Sequence, residues 1–197
     1  MNMRFLVRIS AFLIVLTSLS GCGVNSIPSY DEQVSATWSQ VMNQYQRRAE
    51  LIPNLVNVVK GYAKHEREVL TAVVEARSAV SKVELPKDIL SNPGAFKQFQ
   101  AAQGELSSAL SRLLVTVERY PDLKASTNFQ QLQSQLEGTE NRIAVARRDY
   151  IEAVKMLNTE LRTIPGRWWH QFLYADVEAK ETFSVSEELQ QVPTVNF

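Results

Sequence analysis

The sequence predicts an all-α chain folded as an elongated antiparallel helical bundle, and three observations carry that prediction. Apolar residues step by threes and fours through most of the 197 residues, the spacing of helices that each pack along one stripe. Glycine and proline number seven each, and the prolines that matter gather at a few points that divide the chain into long segments. No alternating, β-branched run is present that would build a strand. With 45% apolar residues, the composition is that of an ordinary single globular domain, not of a disordered or fibrous chain.

The first element precedes the bundle. Arg4 and Arg8 lead into an apolar stretch, Ile9 to Leu19. As helix it would span about 16 Å, roughly half the hydrocarbon thickness of a bilayer, which is too short for a transmembrane span. A basic start, a short apolar stretch and small residues after it read as a cleavable secretory signal. Leu19-Ser20-Gly21-Cys22 follows and looks like a bacterial lipobox, in which Cys22 is acylated and becomes the first residue of the mature protein. The plainer reading is a chance cysteine behind an ordinary signal. Spacing, small neighbours and the absence of any second cysteine favour the lipobox. Residues 1–21 are then the signal, 22–29 a tether, 30–183 the bundle and 184–197 a loosely ordered tail.

Val34, Trp38, Val41, Tyr45, Arg48, Ile52, Leu55, Val59, Tyr62, Val69, Val73 and Val80 trace one face of the first helical stretch. Pro53 lies inside it. An interior proline removes a backbone hydrogen bond and crowds the preceding turn, so the helix is expected to kink or break near Leu51–Asn54. The stripe keeps its phase there, which favours one kinked helix, hence three passes, over two helices and four passes. Leu85-Pro86 and Asn92-Pro93-Gly94 make the next turn. A second helix runs from Ala95 to Tyr120 with Phe96, Phe99, Leu106, Leu110, Leu113 and Val117 on its stripe, closed by Pro121. The loop from Pro121 to Ser126 reads as a rigid connection with Leu123 tucked into the bundle end. The last long helix starts at Thr127 or Asn128 as N-cap and carries Phe129, Leu132, Leu136, Thr139, Ile143, Ala146, Tyr150, Val154, Leu157, Leu161 and Ile164 up to Pro165-Gly166. Beyond it, Arg167-Trp168-Trp169-His170 and Phe172-Leu173-Tyr174 form an aromatic cluster. It either caps the bundle end or sits at a membrane surface, where Trp and Tyr favour the headgroup zone. A three-pass topology places it far from Cys22 and favours the cap.

Charge and chemistry exclude more than they assign. Lys and Arg total 21 against 21 Asp and Glu, so the basic footprint of a nucleic-acid binder is missing. A single cysteine excludes an intramolecular disulfide and a Cys-based zinc site. His65-Glu66-Arg67-Glu68-Val69 begins like a zinc-protease helix, but Val69 stands where the second histidine must be. Only His65 and His170 are present, which is too few for a paired Glu-x-x-His di-metal bundle. Neither a nucleophile elbow nor a phosphate-binding loop appears, and no cofactor or metal is expected. The polar residues worth following lie on or beside the packing stripes: Arg48, Glu140 and Arg147, with Glu66, Arg77 and Glu118 expected to approach from neighbouring helices. Buried charges must pair. These six therefore form either a register-setting ion-pair layer or a polar groove whose carboxylates do acid–base chemistry or bind a ligand, and the balanced partners favour the first.

Arg48-Ala49-Glu50-Leu51-Ile52-Pro53-Asn54-Leu55-Val56, with Val59-Lys60-Gly61-Tyr62-Ala63 and His65-Glu66, resembles the first signature of the bacterial LemA family. Glu118-Arg119-Tyr120-Pro121-Asp122-Leu123-Lys124-Ala125 resembles its second. Leu136-Glu137-Gly138-Thr139-Glu140-Asn141-Arg142-Ile143-Ala144, then Ala146-Arg147-Arg148 and Tyr150, resembles its third. The resemblance implies an antiparallel helical bundle tied to the cell envelope, and it brings no established catalytic activity or cofactor. The lipobox departs from the N-terminal transmembrane helix common in the family. The resulting expectation is a non-enzymatic envelope lipoprotein, a scaffold held at the membrane through Cys22 and offering helix faces to envelope protein partners. The alternative is an envelope enzyme or small-ligand binder using the Glu/Arg layers. Gly23 after the cysteine is not the Asp that retains lipoproteins at an inner membrane, which points to the periplasmic face of an outer membrane.

Overall fold

The computed structural model describes residues 23–183; the expected signal segment, Cys22 and the tail from residue 184 lie outside the described residues. Six α-helices follow one another: α1 (Ser26–Tyr62), α2 (Arg67–Lys82), α3 (Pro93–Val117), α4 (Pro121–Lys124), α5 (Thr127–Glu160) and α6 (Gly166–Leu173), with a 3-10 turn over Ile89–Ser91 before α3. The bundle is all-α, as the periodicity predicts. Its two long rods, α1 with 37 residues and α5 with 34, measure about 55 and 51 Å. They run antiparallel. Ile27 shares a core with Leu157 and Leu161, while Ile52 and Leu55 share another with Phe129 and Leu136.

Helix α1 continues through Pro53 without a break. The proline leaves the Ala49 carbonyl without its usual i+4 donor. Arg77 on α2 supplies the replacement, its Nε donating to the Ala49 oxygen at 2.9 Å. The chain reverses ten residues later instead, at Ala63–Glu66, where sequence periodicity shows no interruption. Ala63 is buried, and the Glu66 Oε1 accepts from the Tyr120 hydroxyl at 2.8 Å and from Arg119 Nη2 at 3.0 Å. That tie fastens the turn to the end of α3. Helix α2 then folds back along α1, so the main chain makes four passes, not the three expected from a kinked first helix.

Other boundaries move less. Ser26–Ser29, expected in the tether, already form the first turn of α1, and Ile27 is fully buried. Asn92 caps α3 by accepting from the Ala95 amide at 3.1 Å, with Pro93 at the first helical position. Pro121–Lys124 is a single helical turn whose Leu123 is fully buried. After α6, residues 174–183 run as an extended strap back along the bundle. Lys180 and Asn158 exchange two hydrogen bonds of 2.9 Å, the Tyr150 hydroxyl donates to the Glu181 carbonyl at 2.8 Å, and Phe183 is buried.

The core has two compartments. The lower one, at the Gly23 end, is built on Trp38, Tyr45, Phe96, Phe99, Tyr150 and Phe183, whose rings meet at centroid distances of 5.0–6.3 Å. The upper one is aliphatic, with Ile52, Leu55, Val59, Leu106, Leu110 and Leu113 at its centre. Only α1, α3 and α5 enter both.

Candidate functional site

Arg48 stands between the compartments and is 1% exposed. Its Nη1 donates to Glu140 Oε1 on α5 at 2.9 Å and to Ser107 Oγ on α3 at 2.8 Å. Its Nη2 donates to Gln103 Oε1 at 2.5 Å and lies over the Gln103 carbonyl. The guanidinium carbon also sits 5.1 Å from the Tyr45 ring centre, a cation–π distance. One cation is thus held by three helices. Next to Glu140 on α5, Thr139 is fully buried and returns its hydroxyl to the Gln135 carbonyl of its own helix at 2.7 Å. Glu140 faces outward enough for its side chain to be 43% exposed, so the pair joins a buried cation to a half-solvated anion.

The six residues singled out by sequence do not assemble into one layer. Arg48 and Glu140 meet. Glu66 lies at the far end of the rod with Tyr120 and Arg119. Glu118 pairs with Lys124 on the exposed surface of the same end. Arg77 serves the Ala49 carbonyl. Arg147 places its guanidinium 4.3 Å over the Phe183 ring, clamping the strap. Glu66 lies beyond the end of α1, about 21 Å or more along the axis from Arg48, whereas Arg77 stands level with Arg48 but spends its Nε on the Ala49 carbonyl. Gln103 and Ser107 belong to the layer and were not foreseen. The α3 stripe jumps from Phe99 to Leu106, and the core-phase position in that gap is Gln103, which is the signal that marks it.

Electrostatics follow burial. Desolvation raises the Tyr45 pKa above its ordinary 10.0, with Arg147 and Arg48 pulling the other way by favouring the phenolate. Burial raises that of Tyr150 further, and Glu181 adds to the effect. At Tyr120 the hydrogen bond to the Glu66 carboxylate is the main cause of a raised value. His65 is exposed, and His170 Nε2 lies 3.0 Å from the Val177 carbonyl. Among the described residues, no three His, Cys, Asp or Glu side chains are grouped to hold a metal ion, and no helix is long and apolar enough to cross a membrane.

The second candidate region is the lower end of the rod. The cis Ile164–Pro165 bond turns the chain from α5 into α6. Gly166 is required there, because a Cβ would lie 2.3 Å from the Glu160 carbonyl oxygen. Gly23 has φ +92°, open to glycine and strained for other residues, and its Cβ position lies 3.6 Å from Pro165 and 3.9 Å from Trp169 Nε1. The four-pass topology therefore returns the aromatic helix to the start of the described chain, against the expectation that it lies far from Cys22.

The LemA family profile matches residues 37–197. Among curated relatives, a magnetosome protein MamQ of Paramagnetospirillum magneticum is 27% identical over 160 residues, covering 73% of this chain and 59% of the relative. MamQ of Magnetospirillum gryphiswaldense is 25% identical over 157 residues, covering 72% and 58%. Protein LemA of Metamycoplasma hominis is 23% identical over 139 residues, covering 71% and 59%. The chain thus spans about three fifths of the length of these relatives. With the signatures around Arg48, Tyr120 and Glu140 set in one antiparallel bundle and the profile covering most of the sequence, the chain belongs to the LemA family.

Proposed function

We propose that this protein is a lipid-anchored rod of the bacterial envelope, a non-enzymatic scaffold that presents helix faces to other envelope proteins. The observation that carries the reading is the position of Gly23, one residue after Cys22, at the lower extremity of a bundle about 55 Å long. An acylated Cys22 would hold the rod by one end and leave the Ala63–Glu66 and Val117–Thr127 turns at the other. The membership in an envelope-associated family supports the same placement. The side chains that an enzyme would need are committed elsewhere: Glu140 to Arg48, Glu66 to Tyr120 and Arg119, Glu118 to Lys124. The Arg48 layer acts as a register pin between helices, and Gly23 directs the anchored protein to the periplasmic face of an outer membrane.

Fractionation of cells carrying Cys22→Ala tests the anchor. The wild-type chain is expected in the membrane pellet after an alkaline wash. The variant is expected in the soluble fraction with its melting temperature unchanged. Retention of the variant in the washed pellet would contradict the proposal.

A further inference from the structure

Helix α6 has its amphipathic character turned outward. Trp168 and Phe172 are one turn apart on its free face, 53% and 75% exposed, with Leu173 beside them at 57% and Ile164 just before them at 66%. These are four of the largest apolar exposures on the described surface, gathered at one end. The inner face is already spent, since Gly166 is buried and Trp169 packs against the lower core. Ordinary amphipathic helices place such residues inside. A patch of this kind marks a contact surface.

Three observations identify what covers it. Helix α6 begins beside Gly23, whose Cβ position lies 3.6 Å from Pro165 and 3.9 Å from Trp169, so the residue that follows Cys22 in the chain sits against the helix that carries the patch. The preceding sequence, Ile9 to Leu19, is the most apolar of the chain and ends three residues short of Cys22. The strap leads away from the patch: His170 holds the Val177 carbonyl, Lys180 pairs with Asp31 at 3.1 Å, and Phe183 ends against Trp38 and Arg147. The flanking charges are mixed, with Arg162 and Arg167 on one side and Asp176 and Glu178 on the other, so apolar insertion and not charge must supply the attraction.

We infer that α6 is a foot: Ile164, Trp168, Phe172 and Leu173 insert into the headgroup–acyl boundary of the bilayer that holds Cys22. This rests on the end-on anchoring proposed above. A lipid tether alone leaves the rod free to swivel. A tether with an inserted helix beside it fixes the rod upright, and the tether makes insertion effectively intramolecular.

The test couples the thiol of Cys22 in the full chain to maleimide-bearing lipid in phosphatidylcholine vesicles with brominated acyl chains. Chemical coupling supplies the tether whether or not cells acylate Cys22, so failure here is distinct from failure of the fractionation test. Bromine is expected to quench about a third of the emission, the share of one tryptophan in three. The quenched component should be absent in Trp168→Phe and reduced at least about twofold in Phe172→Ser, with far-UV circular dichroism unchanged in both. Emission from the coupled protein that bromine leaves untouched would overturn the inference. So would a Trp168 emission already blue-shifted without lipid, whether it depends on protein concentration, meaning a second copy covers the face, or does not, meaning residues 184–197 cover it.

Discussion

The two halves of the rod solve the same burial problem with different material. The lower half closes three helices with rings and an extended strap: Phe183 packs on Trp38, Phe96 and Tyr150, and Arg147 covers it from outside. The upper half closes the same three helices with a fourth, α2, and fills the space with leucine, isoleucine and valine. A helix brings its own hydrogen bonds, so α2 needs only a turn fastened by Glu66. Apart from the Val177 amide donating to the Tyr174 carbonyl, the strap borrows its partners: Asn158, Tyr150 and the Leu90 carbonyl. In the half that holds Gly23, the closing segment is therefore fixed by side chains of its neighbours and not by a ladder of its own.

The largest effect is expected at the boundary. Arg48→Ala removes a fully buried side chain and leaves Gln103 without its donor, while Glu140 retains water. The expected loss is about 3 kcal/mol. All three tryptophans, Trp38, Trp168 and Trp169, lie in the lower half, so fluorescence reports that half and circular dichroism reports both. In urea, the two midpoints should fall together, because α1, α3 and α5 run through both compartments. A shift in only one would mean that the halves unfold separately.

Alkali should destabilise the whole bundle, through Tyr45 and Tyr150 in the lower half and Tyr120 at the upper end. Burial raises the Tyr45 and Tyr150 pKa values above 10.0; below pH 10 both are protonated folded and unfolded, and stability does not depend on them. Above pH 10 the unfolded chain releases these protons first. Stability is then lost at about 1.4 kcal/mol per pH unit for each tyrosine until the folded group titrates. Tyr150→Phe should flatten that slope in tryptophan-detected melts between pH 10 and 11, and an unaltered slope would remove Tyr150 from the account.

The upper half offers a smaller and more local test. Arg77→Met orphans the Ala49 carbonyl and should cost about 1 kcal/mol. Adding Pro53→Ala restores the backbone donor, so the double variant should recover most of that loss. Additive losses in the cycle would mean that Arg77 does not serve the carbonyl.

Fold class, helix stripes and the Asn92-Pro93 and Pro121 boundaries are legible in the sequence because each rests on local chemistry. The reversal at Ala63–Glu66 is not. Val59, Ala63, Leu70 and Val73 keep helical phase across it, and what fixes the turn is a contact between Glu66 and Tyr120, 54 residues away. Pro53 sends the opposite message, and its cost is met by Arg77 from another helix. The same long-range character hides the strap, which hangs on backbone carbonyls that no residue pattern specifies. Of the polar candidates, Arg48 and Glu140 are visible as charges on stripes, and Gln103 as a gap in one. Which acid meets which base depends on the pass count, and the pass count depends on the unseen turn.

That turn also decides where the aromatic helix lies, and the foot inferred for it follows from its lying beside Gly23. Pulsed electron paramagnetic resonance with spin labels on Cys22 and on Gln171→Cys measures it directly, with Cys22 and Tyr62→Cys as the long reference. Four passes predict a Cys22–171 distance under about 20 Å, from a few residues of reach around Gly23, against about 55 Å to position 62. A Cys22–171 distance near the length of the rod would contradict the account.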